Sequence, residues 1–290
     1  MKSKNNKNYL ILPIVLILSL LFAYMASGES VTLFGIPLII ISVLIIFVIQ
    51  WLAFIPAFIF QTEKFYDLVG SLTYIITIYT VFFVNKSFDS RSILVLSMIT
   101  IWAVRLGSFL FYRVHKTGKD GRFDEMKKSF IRFLNAWTIQ GMWVTLTLLA
   151  ALIVLSSGET VELGYFALIG AVLWIIGFLF EAVADFQKSR FKSNSDNKGK
   201  FINSGLWSLS RHPNYFGEIV LWAGILVIAI PLFSGLQWIG LISPVFVTLL
   251  LTKISGIPIL EKRGDDKWGG QKDYEKYKQE TPVLIPKLKK

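Results

Sequence analysis

Ile36-Pro-Leu-Ile-Ile-Ile-Ser-Val-Leu-Ile-Ile-Phe-Val-Ile-Gln-Trp-Leu-Ala-Phe-Ile-Pro-Ala-Phe-Ile-Phe60 runs for 25 residues without a charged side chain. A helix crosses about 30 Å of hydrocarbon with roughly 20 apolar residues. Within lipid, a helix satisfies its own backbone polar groups, which an open strand does not. This stretch therefore reads as a membrane span, and the chain holds others like it on both sides. The apolar runs predict spans over 10–26, 33–60, 68–84, 92–112, 135–155, 163–184, 214–232 and 236–253. The expected fold is an all-α polytopic membrane helical bundle of about eight spans. Pro37 and Pro56 are expected to kink the second span or let its ends lie in the interface.

Composition agrees. Of 290 residues, 54% are apolar and 17% charged, against about 45–50% and 25% in soluble domains. A soluble enzyme, a disordered tail and a secreted disulfide scaffold are excluded. The chain has no cysteine and two histidines, His115 and His212. Disulfides, thiolate chemistry and a multi-histidine metal centre are thereby excluded, and no metal site is expected. The net charge of +11 reads as positive-inside sorting rather than nucleic-acid binding. The expected macromolecular environment is the lipid bilayer, and the oligomeric state is left open. Lys2, Lys4 and Lys7 precede the first span, but no Ala-x-Ala cleavage site follows, so this span is expected to remain as an anchor.

The basic residues also orient the bundle. Segment 113–132 carries seven Lys/Arg, segment 185–211 six, segment 261–290 nine and the N-terminus three, which is 25 of the 30 in the chain. Alternating eight spans from an inside N-terminus puts all four segments on one side, so both termini are expected in the cytoplasm. The predicted location is the cytoplasmic membrane of a bacterium. In the tail, Tyr274, Tyr277 and the patch Pro282–Pro286 provide anchors for folding back on the inner face.

Ionisable residues inside apolar spans mark sites, because lipid penalises them unless they are paired or line a wet cavity. They are Arg105 in span four, Glu181 and Asp185 at the end of span six, Glu218 at the start of span seven, and Asp67 where span three begins. Glu181 and Asp185 share a helix face, as do Arg105 and Arg113 at two turns' separation. The densest stretch is Arg211-His-Pro-Asn-Tyr-Phe-Gly-Glu218, preceded by Gly205-Leu-Trp207. Pro213 suits a first helical turn, with His212 or Ser210 at the cap. The free N–H groups of that turn attract anions. Asn214 and Glu218, at i and i+4, offer an amide and a carboxylate suited to a ribose, an amide or an adenine edge. No Gly-x-Gly-x-x-Gly or Gly-x-x-x-x-Gly-Lys-Ser/Thr motif is present, so a nucleotide would sit among the helices.

The octapeptide 211–218 with its flank resembles the signature of the steroid 5-alpha-reductase-like membrane oxidoreductases, most closely their bacterial branch. Trp102-Ala-Val-Arg-Leu-Gly107, Asp185-Phe-Gln-Lys188 with Phe191-Lys192, and Ser255-Gly-Ile-Pro-Ile-Leu-Glu261 with Tyr274, Tyr277 and Thr281-Pro282 fit in order and spacing. The resemblance runs from about residue 60 to the C-terminus. It implies N-terminal membrane helices over 1–60 and a catalytic domain over 61–290. The domain would hold NADPH in a cavity open to the cytoplasm. It would reduce a carbon–carbon double bond conjugated with a carbonyl in a steroid-like or other lipid. The implied cofactor residues are Arg105, Arg113, Asp185, Lys188, Lys192, Lys200, Arg211, His212, Asn214, Tyr215, Glu218 and Tyr274.

Two departures concern the proton donor. Where the steroid enzymes carry a tyrosine, this chain has Trp102, whose indole donates a hydrogen bond but supplies no proton. Their partner glutamate is replaced, as candidate, by Asp67 with Tyr74 seven residues on. Asp67, Tyr74 and Trp102 are thus the expected catalytic set. The Arg-His-Pro-x-Tyr-x-Gly core is also similar to that of isoprenylcysteine carboxyl methyltransferases, which use S-adenosylmethionine. A lipid methyltransferase is the alternative, and a non-catalytic lipid-binding protein the second alternative. The Asn214–Glu218 pair and Asp185-x-x-Lys188 favour the reductase.

Overall fold

The computed structural model describes residues 3–287. Apart from one short hairpin, the regular elements of the described residues are helical. Among the described residues, eight helices are long and apolar enough to cross a membrane: Asn8–Ala26, Leu38–Ile59, Tyr66–Asn85, Ser90–Thr117, Phe130–Ser156, Tyr165–Ser193, Pro213–Leu232 and Gly235–Trp268. The chain is thus an all-α polytopic bundle and an integral membrane protein.

The helices are α1 (Ser3–Ala26), α2 (Leu38–Ile59), α3 (Tyr66–Asn85), α4 (Ser90–Thr117), α5 (Phe130–Ser156), α6 (Tyr165–Ser193), α7 (Pro213–Ala229), α8 (Ile242–Leu249), α9 (Ile257–Trp268) and α10 (Lys272–Glu280). Two compact units emerge. One runs to Ala167 and includes Ile228–Ser243; the other comprises Leu168–Val227 and the chain from Pro244.

In the first unit, α5 packs against α1, α2, α3 and α4. Its residues Leu148–Leu152 are fully enclosed. Lipid gives such helices no hydrophobic drive to associate, so close packing and side-chain hydrogen bonds hold them. Gln50 Nε2 donates to Thr73 Oγ1 at 2.9 Å, Trp51 Nε1 to Thr138 Oγ1 at 3.2 Å, and Gln140 Nε2 to the Tyr66 carbonyl at 3.1 Å. The ends of α1, α3 and α5 meet on one face. There Asn85 Nδ2 donates to the carbonyls of Leu155 and Ser157, and Val31 N–H to that of Ser156. Odd-numbered spans ending together is what antiparallel alternation requires.

The second span begins at Leu38 rather than 33. Thr32–Leu33 (β1) pairs antiparallel with Ile36–Pro37 (β2) through Phe34 and Gly35. Both turn residues have positive φ, 53° and 77°, as a two-residue hairpin turn demands. Pro37 thus precedes the helix instead of kinking it, while Pro56 lies in the last turn of α2. At the start of α4, Asp89 accepts from the N–H groups of Arg91 and Ser92. Arg91 is 2% exposed. Its guanidinium donates to the carbonyls of Val161 at 3.3 Å, Glu162 at 2.6 Å and Ile228 at 2.5 Å. At the unit's other end, Phe123 of the α4–α5 connection inserts among Phe54, Phe133 and Trp137. Buried Glu63 holds that connection, accepting from the Asp120 N–H at 3.0 Å and from Lys127 Nζ.

In the second unit, α6 and α7 cross in backbone contact. Gly170 and Gly177 lie seven residues apart on α6, as do Gly217 and Gly224 on α7, which puts each pair on one stripe. A Cβ on Gly177 would lie 2.4 Å from the Leu221 nitrogen, and one on Gly217 would lie 2.5 Å from both the Gly177 carbonyl oxygen and the Glu181 nitrogen. A Cβ on Gly224 would meet the Gly170 carbonyl oxygen at 2.6 Å. The eighth span is segmented. After α8, a π turn over Leu250–Ile254 leads to a break at Ser255–Gly256, and α9 begins with Pro258 in its first turn. The tail folds back as its anchors suggested: the Arg211 N–H donates to the Pro282 carbonyl and the Lys287 N–H to that of Leu209, each at 2.9 Å.

Candidate functional site at the start of α7

Because α6 and α7 touch through glycines, the side chains at the end of one lie beside those at the start of the other. Asn214 Nδ2 donates to Asp185 Oδ1 at 3.2 Å. Glu181, one turn before Asp185 and 2% exposed, lies where Gly217 meets the α6 backbone. Glu218, one turn after Asn214, is half-buried. Lys188 lies 4.2 Å above the Trp207 ring, a cation–π contact. Trp207 Nε1 donates to the Ala184 carbonyl at 3.0 Å. Gln187 accepts from the Leu206 N–H at 2.9 Å, where Gly205 takes a φ of 61°. Thus the Gly205-Leu-Trp207 flank packs on the last turns of α6 and holds the octapeptide in place.

Ser210 Oγ donates to the Leu284 carbonyl at 2.8 Å and accepts from the His212 N–H at 3.1 Å. The His212 ring stacks on Tyr215, centroids 5.6 Å apart, and Nε2 lies 2.8 Å from Glu261 Oε1. Arg211 donates to the other oxygen of Glu261. His212 holds the cap position expected for it or Ser210, since it directly precedes α7 and its carbonyl accepts from the Phe216 N–H, while its ring pairs with Glu261 of α9. Tyr274 donates to Asp265 Oδ1 at 3.2 Å, within the fold of the tail. Lys192 and Lys200 are exposed. Lys200 lines a cavity of about 950 Å³ with Phe201, Lys276 and Tyr277. Asn214, Asp185 and Glu218 are absent from its lining.

The remaining candidates lie in the first unit. Asp67, in the first turn of α3, is 3.9 Å from Arg113 Nη2. Tyr74 and Trp102 are buried edge-to-face at 5.1 Å, and Arg105 follows Trp102 by one turn of α4. Sequence reasoning missed Glu261 as a partner, seeing it only as the end of a block. The signal was an adjacent Arg and His in need of an acceptor. Glu63, closing the α4–α5 connection, also went unnoticed.

Burial holds the His212 imidazole below its ordinary range, despite the bond to Glu261. Between the folded and unfolded pKa values the unfolded chain binds more protons, so stability rises with pH there. The contribution is complete above the ordinary value of about 6.5. It is lost as pH falls through the lower folded value. Unfolding of the detergent-solubilised protein between about pH 5 and 7 should therefore show less slope in His212→Gln than in the parent. Equal slopes would remove this assignment.

A family model described as "Protein of unknown function (DUF1295)" matches residues 53–281. The chain belongs to the DUF1295 family. Two curated proteins outside that description match shorter segments. One is a probable O-methyltransferase of Ustilaginoidea virens, 37% identical over 70 residues, covering 24% of each chain. The other is a probable 7-dehydrocholesterol reductase of Acanthamoeba polyphaga mimivirus, 35% identical over 74 residues, covering 20% of this chain and 16% of that protein. No solved structure matches. The chain thus spans about a quarter or less of these two relatives.

Proposed function

We propose that this chain is a membrane oxidoreductase that binds NADPH where α7 begins and reduces a conjugated carbon–carbon double bond of a steroid-like or other lipid. The observation that carries the reading is the Asp185–Asn214 hydrogen bond at the glycine-closed crossing of α6 and α7. With Nδ2 committed to Asp185, the Asn214 amide presents its oxygen as an acceptor. Carboxylates of Glu181, Asp185 and Glu218 add further acceptors for ribose hydroxyl and amide donors. Lys188, Lys192, Lys200 and Arg190 lie on or just after the end of α6 and give a polyanion a basic approach. When bound, NADPH supplies a hydride. The residues of this chain orient the nucleotide, neutralise its phosphates and exclude water.

The methyltransferase reading is favoured by the Ustilaginoidea virens relative. S-adenosylmethionine carries positive sulfonium and ammonium groups and no phosphate, so the basic end of α6 argues for the dinucleotide. NADPH is expected to raise the melting temperature in detergent, with about 2.7 kcal/mol of stabilisation at a hundredfold excess over Kd, and S-adenosylmethionine is not. Asn214→Ala should weaken NADPH binding about tenfold, as loss of one or two hydrogen bonds implies. Stabilisation by S-adenosylmethionine alone would reverse the assignment.

A further inference from the structure

His212 is 4% exposed, and its two ring nitrogens have different surroundings. Nε2 faces Glu261 Oε1 at 2.8 Å, while Arg211 holds the other oxygen of the same carboxylate. An ionised carboxylate only accepts, so Nε2 carries the proton and Nδ1 the lone pair. Nδ1 is buried without a hydrogen-bond partner, and so is Nε of Arg211. The local backbone does not need that ring: the His212 N–H is already served by Ser210 Oγ at 3.1 Å. A buried acceptor left unpaired is costly to a fold. Here it sits directly before the first turn of α7. A lone pair repels phosphate and carboxylate oxygens and takes a neutral N–H or O–H. Glu261 reaches this point from α9, placed by the π turn and by Gly256, where a Cβ would meet the Leu251 carbonyl oxygen at 2.5 Å and Tyr215 Cε2 at 2.9 Å.

We infer that Glu261 is a positioning residue that fixes the His212 tautomer, so that Nδ1 accepts a hydrogen bond from an amide or hydroxyl group of the bound nucleotide. This rests on the start of α7 being the nucleotide site. Glu261→Gln tests it. A glutamine keeps an oxygen for Arg211 but turns its amide donor toward Nε2, which moves the ring proton to Nδ1 and converts the acceptor into a donor. His115→Gln leaves His212 as the sole histidine for ¹⁵N labelling. In that background Nδ1 should read as a lone-pair nitrogen and shift on saturation with NADPH. In Glu261→Gln it should read as protonated, with NADPH affinity down at least about tenfold, the scale of a lost hydrogen bond to a polar group. Glu261→Asp, which keeps a carboxylate, should retain the parent tautomer and most of the affinity.

A merely structural Glu261 would lower the melting temperature without moving the proton. If Glu261→Gln fails to fold, the parent alone decides, since a proton on its Nδ1 overturns the inference. An Nδ1 signal unmoved by saturating NADPH also overturns it. The Asn214 side-chain amide separates the causes. If it shifts while Nδ1 does not, the nucleotide site stands and the inference falls; if neither shifts, both fall.

Discussion

Gly217→Ala is expected to lower the melting temperature of the detergent-solubilised protein by several degrees and to abolish measurable NADPH stabilisation. The added Cβ would lie 2.5 Å from the Gly177 carbonyl oxygen and 2.5 Å from the Glu181 nitrogen. Both obstacles are backbone, so no side-chain rotation relieves them, and α6 and α7 must separate. Overpacking costs about 1–3 kcal/mol where side chains are able to yield; here about 3 kcal/mol or more is expected. Separation also pulls Asp185 from Asn214, which joins this stability loss to the loss of binding. Gly164→Ala is the control, because a Cβ there meets nothing within 4 Å and should change stability by less than about 0.5 kcal/mol. Equal melting of the two variants would show that the helices tolerate a wider crossing.

Arg91→Leu should destabilise the first unit by about 4 kcal/mol. Its guanidinium serves the carbonyls of Val161, Glu162 and Ile228 from a buried position. Each hydrogen bond to a charged donor is worth roughly 1.5–3 kcal/mol, and orphaned carbonyls add their own penalty. The three are not additive, since one fork makes them all. Arg91→Lys should recover part of the loss, because an ammonium supplies the charge but not the planar fork. Denaturant unfolding of the parent and both variants measures this. Coincident curves for Arg91→Leu and the parent would mean that the three contacts hold nothing together.

Much of this architecture is legible in the chain because lipid sets a length that apolar runs must meet. The spans beginning near Tyr66 and Pro213 are read from such runs. The same reasoning misplaces helix ends. Residues 130–134 and 185–193 are helical, but they carry the polar residues of a helix leaving the apolar layer, so hydropathy stops short of them. The hairpin over 32–37 hides for the opposite reason: its residues are apolar, and only positive φ at Phe34 and Gly35 separates it from a helix. Asn214 and Asp185 are individually readable as intramembrane polar residues. Their meeting depends on a glycine stripe whose partner helix no single sequence names. Glu261 is harder still, because its helix follows a π turn and a break whose direction periodicity does not encode.

The return of Ile228–Ser243 to the first unit has a consequence for synthesis. Arg91 and the Ile228 carbonyl it bonds are 137 residues apart. At roughly 5–20 residues per second, that interval is about 7–27 s of translation. For that time the Arg91 side chain has emerged and its third acceptor has not, while the whole of α6 and most of α7 are made. During insertion, then, a nascent chain halted before Ile228 carries a guanidinium near the bilayer with a bond still owed. A ribosome stalled on either side of this codon should display the difference as a step in the protease resistance of α4.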